Sequence, residues 1–400
     1  MMVNLYGHTR TFVRGGGCVT TANGKKLRGE STAAAAAVAK SAVSVFGGSS
    51  SSIDNNKNDN GDDSVPPNPF SLLDDEQLDE QVDQLASWFD SSIGRGGGGG
   101  GGILCLTGAG LSTESGIPDY RGHKGSYHHG HKPMLHQAYT SSEYQRKRYW
   151  GRSMIGWKKF DGTEPNKGHV GLAELGRQGH VGVQMEDRQE FYDEDEKDEF
   201  LFTSGQRSLS IVTQNVDSLH QSAGSKDVVH LHGRGRDLKC MNCGARMDRN
   251  VFHDELEATN RDWLCEIVQG LKTVGENDSQ RPDGDANLSA DFNHVHVPDC
   301  PHCRSGFWKP DVVFFGDSVP KHRVELCRQA VEDCNGLLIV GTSLAVHSAF
   351  RHVRAASQMG KPIAILNVGE TRAEAEGLDG ILKVEAPIGE TLERLVDVLS

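Results

Sequence analysis

Four hundred residues, 36% of them hydrophobic and 48 of them Gly, exceed the needs of a single compact core. They predict one large domain with an inserted smaller module and a disordered end. The net charge of −13, with its acidity gathered in residues 186–199, argues against nucleic acid as a direct ligand. No apolar run approaches the roughly 18 residues that a membrane span requires, so no membrane partner is expected.

In the first fifty residues Arg10, Arg14, Lys25, Lys26, Arg28 and Lys40 stand against a single acid, Glu30, among Ser, Thr, Ala and Gly. This is the composition of an organelle transit peptide, and an ordinary disordered tail is the alternative. Residues 49–69 are too polar to bury a core. Residues 1–70 are therefore assigned to a transit-like, disordered segment and residues 71–400 to the folded part.

Leu78, Val82, Leu85 and Phe89 recur at helical spacing, and a glycine run at 96–102 follows. Residues 103–106 form a short apolar strand, and similar runs at 209–213, 336–340 and 361–366 are separated by helix-like segments. A parallel, doubly wound sheet is the economical architecture. Residues 185–207 form an acidic insert without periodicity, expected as an exposed loop. Residues 236–309 show little repeated apolar pattern and need a metal to hold them together.

The strand at 103–106 runs into Gly108, Ala109, Gly110 and Ser112, small residues that let backbone N–H groups approach a pyrophosphate at a helix start. Thr113 stands where the third glycine of the dinucleotide fingerprint would be, so a tight turn without ligand is the alternative. After the next strand, Gln214, Asn215 and Asp217 fall at the carboxyl edge of the sheet. There Asn215 and Asp217 either bind an amide such as nicotinamide or cap the following helix. His230 and His232 share one face by their period of two, and either fits a general base or a structural role. Gly341, Thr342 and Ser343, and then Asn367, Val368 and Gly369, are polar turns at the same edge, suited to ribose and adenine, with ordinary helix capping as the alternative.

The chain holds nine Cys, of which Cys240 and Cys243 make one CxxC pair and Cys300 and Cys303 a second. Two such pairs place four thiolates around a structural Zn²⁺. The remaining thiols, Cys18, Cys105, Cys265, Cys327 and Cys334, lack metal-ligand spacing and are expected to be structural. His294 and His296 lie near the second pair and are expected to be loop histidines.

Together these residues resemble the sirtuin family. The run Thr107 to Arg121 is similar to its cofactor motif, Thr213 to Asp217 to its nicotinamide-pocket motif, and His232-Gly233 falls at its catalytic histidine. The resemblance covers the chain from about Glu76 onward. It implies a Rossmann-like fold with a small zinc-binding module (236–309) and a small helical module. It also implies His232, Asn215 and Asp217 in catalysis, and Gly108, Ala109, Gly110, Ser112, Asp119, Tyr120, Arg121, Gln214, Gly341, Thr342, Ser343, Asn367, Val368, Gly369 and Ile388 against NAD. The implied reaction is NAD-dependent deacylation of protein lysine: nicotinamide leaves, and His232 acts as general base on a ribose hydroxyl to yield acyl-ADP-ribose. The implied partners are acylated-lysine proteins, docked as an extra strand on 313–316 by a monomeric enzyme. The segments Arg148-Tyr149-Trp150, Pro282 to Asp285 and Lys309 to Asp317 resemble class II, the group that holds the mitochondrial sirtuin 4 of animals, which fits a mitochondrial matrix address. Mono-ADP-ribosyl transfer and a non-catalytic, NAD-binding zinc protein are the competing readings.

Overall fold

The structure, a computed structural model, describes residues 73–94, 102–123, 125–185, 208–274, 281–286, 288 and 290–400. The transit-like start, the glycine run up to residue 101 and the acidic insert from residue 186 lie outside the described residues.

In chain order the strands are β1 (Ile103–Thr107), β2 (Val183–Gln184), β3 (Ser208–Leu209), β4 (Ile211–Thr213), β5 (Val228–His230), β6 (Gly233–Cys240), β7 (Arg246–Asp248), β8 (Trp308–Val312), β9 (Gly336–Val340), β10 (Ile363–Leu366) and β11 (Ile381–Val384). Six of them form one sheet in the order β11-β10-β9-β1-β4-β5. Every pairing within it is parallel. A parallel sheet is covered on both faces, which is why β9 and, but for Thr107, β1 carry no polar side chain and are buried at every position.

Alternate strand residues feed two cores. Leu104, Leu106, Val212, Val229, Leu337, Ile339 and Ile365 pack on helices Lys321–Asp333 and His347–Gln358. Ile103, Cys105, Ile211, Val228, Leu338, Val340 and Leu366 pack on helices Asp75–Gly94, Lys167–Arg177 and Ile388–Leu399. Leu85 and Phe89 of the first helix are fully buried, so the expected helical stripe faces the sheet. Each such side chain contributes about 1.5–3 kcal/mol of burial.

Two expected strands are shorter than the sequence reading. The run 209–213 divides at Ser210, whose hydroxyl donates to the carbonyl of Lys226 at 2.5 Å, and β3 turns aside to pair antiparallel with β2. The run 361–366 begins only at Ile363: Pro362 has no N–H, and the Lys361 ammonium caps the carbonyls of Glu332 (2.8 Å) and Cys334 (2.6 Å).

The second body of structure is the antiparallel sheet β7-β6-β8 with helices His136–Ser141, Glu143–Asp161 and Arg249–Thr259. Its core is aromatic, built on Tyr139, Tyr149, Trp150, Phe252, Trp308 and Phe314. The region 236–309 is more regular than its sequence indicates, because Phe252 and Leu256, four residues apart, bury one face of Arg249–Thr259. Arg249 is wholly buried, its guanidinium 3.9 Å from the Trp157 ring centre and donating to Gly235 O (2.9 Å) and Ser153 Oγ (2.7 Å). Stacking and hydrogen bonding replace part of the water that the charge gives up, with Nε left without a hydrogen bond.

Chain order and strand order diverge at β1: β4 and β5 lie on one side, and β9, β10 and β11 on the other. A crevice opens at the carboxyl ends on either side of such a switch point. Its floor is a backbone-on-backbone contact. Gly108 N donates to Val340 O (3.1 Å) and Gly110 N to Gly341 O (2.8 Å). Gly341 adopts φ +61°, and a Cβ there would stand 2.4 Å from Leu111 N.

Gly341→Ala is therefore expected to lower the unfolding free energy by about 1–3 kcal/mol; urea denaturation checks this, and an unchanged midpoint would show that the turn relaxes. A second expectation concerns acid. Burial pushes His169 and His352 down to about 4, His253 to about 2, and His220 far below the usual range. The unfolded chain takes up these protons near pH 6.5 and the native one does not. Stability is therefore full above pH 6.5 and falls as the pH drops toward 4, by up to about 1.4 kcal/mol per pH unit per ring. The urea midpoint in zinc-supplemented buffer is expected to be lower at pH 5.5 than at pH 7.5; equal midpoints would refute the buried-neutral assignment.

Candidate active site

A cavity of about 1570 Å³ occupies the switch-point crevice. It exceeds the roughly 300–1,000 Å³ usual for a single small ligand, leaving room for a dinucleotide and a second substrate. Ala109, Gly110, Asp119, Tyr120, Arg121, Gln214, Asn215, His232, Gly341, Thr342, Ser343, Asn367, Val368 and Gly369 line it, which brings together most of the residues singled out in the sequence. Gly108, Ser112, Asp217 and Ile388 stand behind its wall. Ile388 packs against the Gly341 turn, its Cδ1 3.1 Å from where a Cβ on that glycine would lie.

The turn after β4 is tied to the other two. Gln214 Nε2 donates to Thr342 Oγ1 at 2.9 Å, and Asn215 Nδ2 donates to Gly108 O (3.1 Å) and Ser112 Oγ (3.0 Å). Ser112 Oγ donates in turn to Asp217 Oδ2 at 2.7 Å, while Asp217 Oδ1 accepts from Leu219 N at 3.0 Å. Both Asp217 oxygens are thus engaged within the protein, and burial raises its carboxyl above the usual range. Asp217 precedes Ser218, the N-cap of helix Leu219–Ser222, holds that helix's first N–H and braces Ser112; Asn215 is the member of the pair that faces the cavity.

The two histidines part company. His230 is buried, with Nδ1 3.2 Å from Asn215 O and Nε2 2.5 Å from Gln221 Nε2. His232 lines the cavity, with Nδ1 3.2 Å from Gln214 O and Nε2 2.7 Å from Ser348 Oγ. Burial is the main cause that pushes His232 down to about 4, so its ring is neutral at physiological pH and its lone pair is available to take a proton.

Asp119, Tyr120 and Arg121 belong to a loop closed on itself. Asp119 Oδ1 accepts from Gly122 N (3.0 Å), Asp119 O from Ser126 N (2.9 Å), and the Arg121 guanidinium lies 5.1 Å from the Tyr127 ring centre. Sequence reasoning missed Tyr127, Asp283, Ser348 and Arg351 in the cavity wall. Ser348 and Arg351 are the second and fifth residues of the helix that follows the Gly341-Thr342-Ser343 motif, a position that itself marks them as edge residues. Asp283 belongs to the Pro282 to Asp285 segment that the sequence marks only by resemblance; nothing local to it indicates that it reaches the cavity.

Cys240, Cys243, Cys300 and Cys303 bring their sulfurs within 4.8 Å of one another, the one such cluster among the described residues. Cys240 Sγ is 3.7 Å from Cys303 Sγ, and Cys243 Sγ is 3.7 Å from Cys300 Sγ. A zinc tetrahedron with bonds of about 2.3 Å has edges of about 3.8 Å, so the cluster fits one structural zinc. Gly306 keeps the space clear, since a Cβ there would come 2.4 Å from Cys240 Sγ. His294 is exposed and lies 3.9 Å from Asp291, outside the cluster. Cys105, Cys327 and Cys334 are buried, and burial raises each thiol. Cys300→Ser is expected to reduce bound zinc from one ion per chain to none and to lower solubility; elemental analysis of the purified variant checks it, and full zinc retention would refute the ligand assignment.

The Sir2 family model matches residues 108–186 and 200–348. The NAD-dependent protein deacylase SRT2 of Arabidopsis thaliana is 39% identical over 304 residues, covering 73% of this chain and 72% of that protein. NAD-dependent protein deacetylase 2 of Bradyrhizobium diazoefficiens is 42% identical over 68% of this chain and 86% of its own length. For the NAD-dependent protein deacylase Sirt4 of Drosophila melanogaster the identity is 38%, over 74% and 82%. Among solved structures, one described under the mechanism and regulation of Sir2 enzymes superposes with a TM-score of 0.55 at 25% identity, covering 80% of this chain and all of the other. The switch-point cavity, the four-cysteine cluster and these matches agree: the chain belongs to the Sir2 family, the sirtuins.

Proposed function

We propose that this sirtuin is an NAD-dependent protein-lysine deacylase, acting on acylated-lysine proteins with NAD as co-substrate. The observation that carries the reading is His232: a neutral imidazole in the cavity wall, at the same sheet edge as the glycine turns and Asn215. Bound NAD supplies a glycosidic bond whose cleavage drives transfer of the acyl group.

The chain's own residues would divide the work. The Gly108–Gly110 and Gly341–Ser343 turns present backbone to the dinucleotide, and Asn367 to Gly369 extend that edge. Asn215 faces the nicotinamide end, held by Gly108 O and by Ser112, which Asp217 braces. His232 receives the proton of a ribose hydroxyl at Nε2. The acyl-lysine strand would dock along 313–316, a stretch in the cavity wall whose backbone is fixed by Val313 N donating to His232 O at 2.8 Å and by His136 N donating to Phe315 O at 2.9 Å.

Class II membership is supported by the Sirt4 match and by the segment around Asp283 and Asp285. Asp285 forms a buried pair with Arg152 at 2.5 Å, and two residues earlier Asp283 reaches the cavity wall. The basic first fifty residues support a mitochondrial address.

With a panel of acyl-lysine peptides and NAD, product masses are expected to show the acyl group on ADP-ribose; label on protein instead would favour mono-ADP-ribosyl transfer. His232→Ala is expected to lower deacylation at least 100-fold with NAD affinity retained. Surviving turnover would remove His232 from its role.

A further inference from the structure

Ser348 is the second residue of helix His347–Gln358, in the cavity wall, with its Oγ 2.7 Å from His232 Nε2. The direction of that hydrogen bond follows from the other side of the ring. Gln214 O is only an acceptor, so Nδ1, 3.2 Å away, carries the proton of the neutral imidazole. Nε2 then presents its lone pair, and the Ser348 hydroxyl donates to it. The first turn carrying Ser348 is itself pinned, because Arg351 Nε donates to Ser348 O at 3.2 Å. The His232 ring is thus held at both nitrogens, by a backbone carbonyl and by a hydroxyl at a helix start.

We propose that Ser348 is a positioning residue for the His232 base, holding Nε2 toward the cavity and releasing it to the substrate hydroxyl. The inference rests on the general-base reading of His232. When the ribose hydroxyl arrives, the Ser348 O–H rotates off the lone pair. The ribose O–H bond breaks, its proton forms the new bond to Nε2, and the ribose oxygen bonds the acyl carbon with the pair it keeps, while the π pair between that carbon and the lysine nitrogen passes to the nitrogen, which then departs as the amine. Ser348 Oγ remains beside the imidazolium as an acceptor. Release of nicotinamide precedes this step and does not use the base, so the two halves of the reaction respond differently to the loss of the hydroxyl.

The test uses the full chain and its Ser348→Ala and Ser348→Thr variants with NAD and an acyl-lysine peptide that the wild type turns over. Exchange of labelled nicotinamide into NAD reads the first half, and acyl-ADP-ribose formation reads the whole. Ser348→Ala is expected to slow acyl-ADP-ribose formation about tenfold, the worth of one well-placed hydrogen bond, with exchange unchanged. Ser348→Thr, which keeps the hydroxyl, is expected to restore most of the rate. Parallel loss of both activities would assign Ser348 a purely structural part and overturn the proposal, as would an unchanged or faster deacylation in Ser348→Ala. Wild-type chain that neither exchanges nicotinamide nor deacylates any peptide would instead overturn the deacylase reading.

Discussion

The structure depends on two polypeptide backbones touching at the switch point of the sheet. Gly110 N meets Gly341 O at 2.8 Å because neither residue carries a Cβ and because Gly341 tolerates φ +61°. Once β1 and β9 end in contact, the turn after β4 has a fixed surface to join. Asn215 then bonds Gly108 O, and Gln214 bonds Thr342. Three strand ends become one edge, from which Gln214, Asn215, Thr342 and Ser343 face the cavity. A side chain at either glycine would separate the strand ends and release the Asn215 and Gln214 bonds together, so the cost would fall on the site as well as on the fold.

The opposite wall is anchored by different physics. The small domain is an aromatic core with few aliphatic layers, and it buries charge in two ways. Arg249 spreads its cation over Trp157, and Arg152 meets Asp285 at 2.5 Å. Burial pushes the Asp285 carboxyl up to about 6 even with Arg152 beside it, so desolvation takes back much of what the pair gains. Such a pair is weak evidence for stability, but it fixes where the chain runs. Here it sets the segment that carries Asp283 into the cavity wall. The zinc cluster closes the base of β6, whose first residue, Gly233, directly follows His232. The metal cluster and His232 therefore sit at opposite ends of one strand, so an ion held by the four cysteines would act on the cavity by holding that strand in place.

Legibility in the sequence followed locality. The sheet was readable because each central strand is a short apolar run buried on both faces, and the four cysteines because ligand spacing is a local property. The turn motifs were readable for the same reason: small residues at the end of an apolar strand have few other uses. What escaped was set by distant partners. The Asp217 carboxylate reads equally well in sequence as amide ligand or helix cap, and its partner Ser112, 2.7 Å away, lies more than a hundred positions earlier. Ser210 looks like one more strand residue until its hydroxyl finds the Lys226 carbonyl. Arg249 gives no sign in sequence of a buried cation, since its aromatic surround comes from residues about a hundred positions away.

The choice between His230 and His232 shows how surroundings, rather than residue type, assign a role. The two rings are two residues apart, and their Nδ1 atoms rest on consecutive carbonyls, Asn215 O and Gln214 O. Burial depresses both, to about 3 and about 4, so acidity does not separate them. The difference lies at Nε2. In His230 that nitrogen is closed off by the Gln221 amide inside the protein; in His232 it meets a single rotatable hydroxyl in a cavity wall. A hydroxyl both donates and accepts and turns at little cost, whereas a packed amide does not leave without uncovering a buried group. Of the two rings the second is the one whose partner turns aside and returns, which is the property that the proposed role as a base requires.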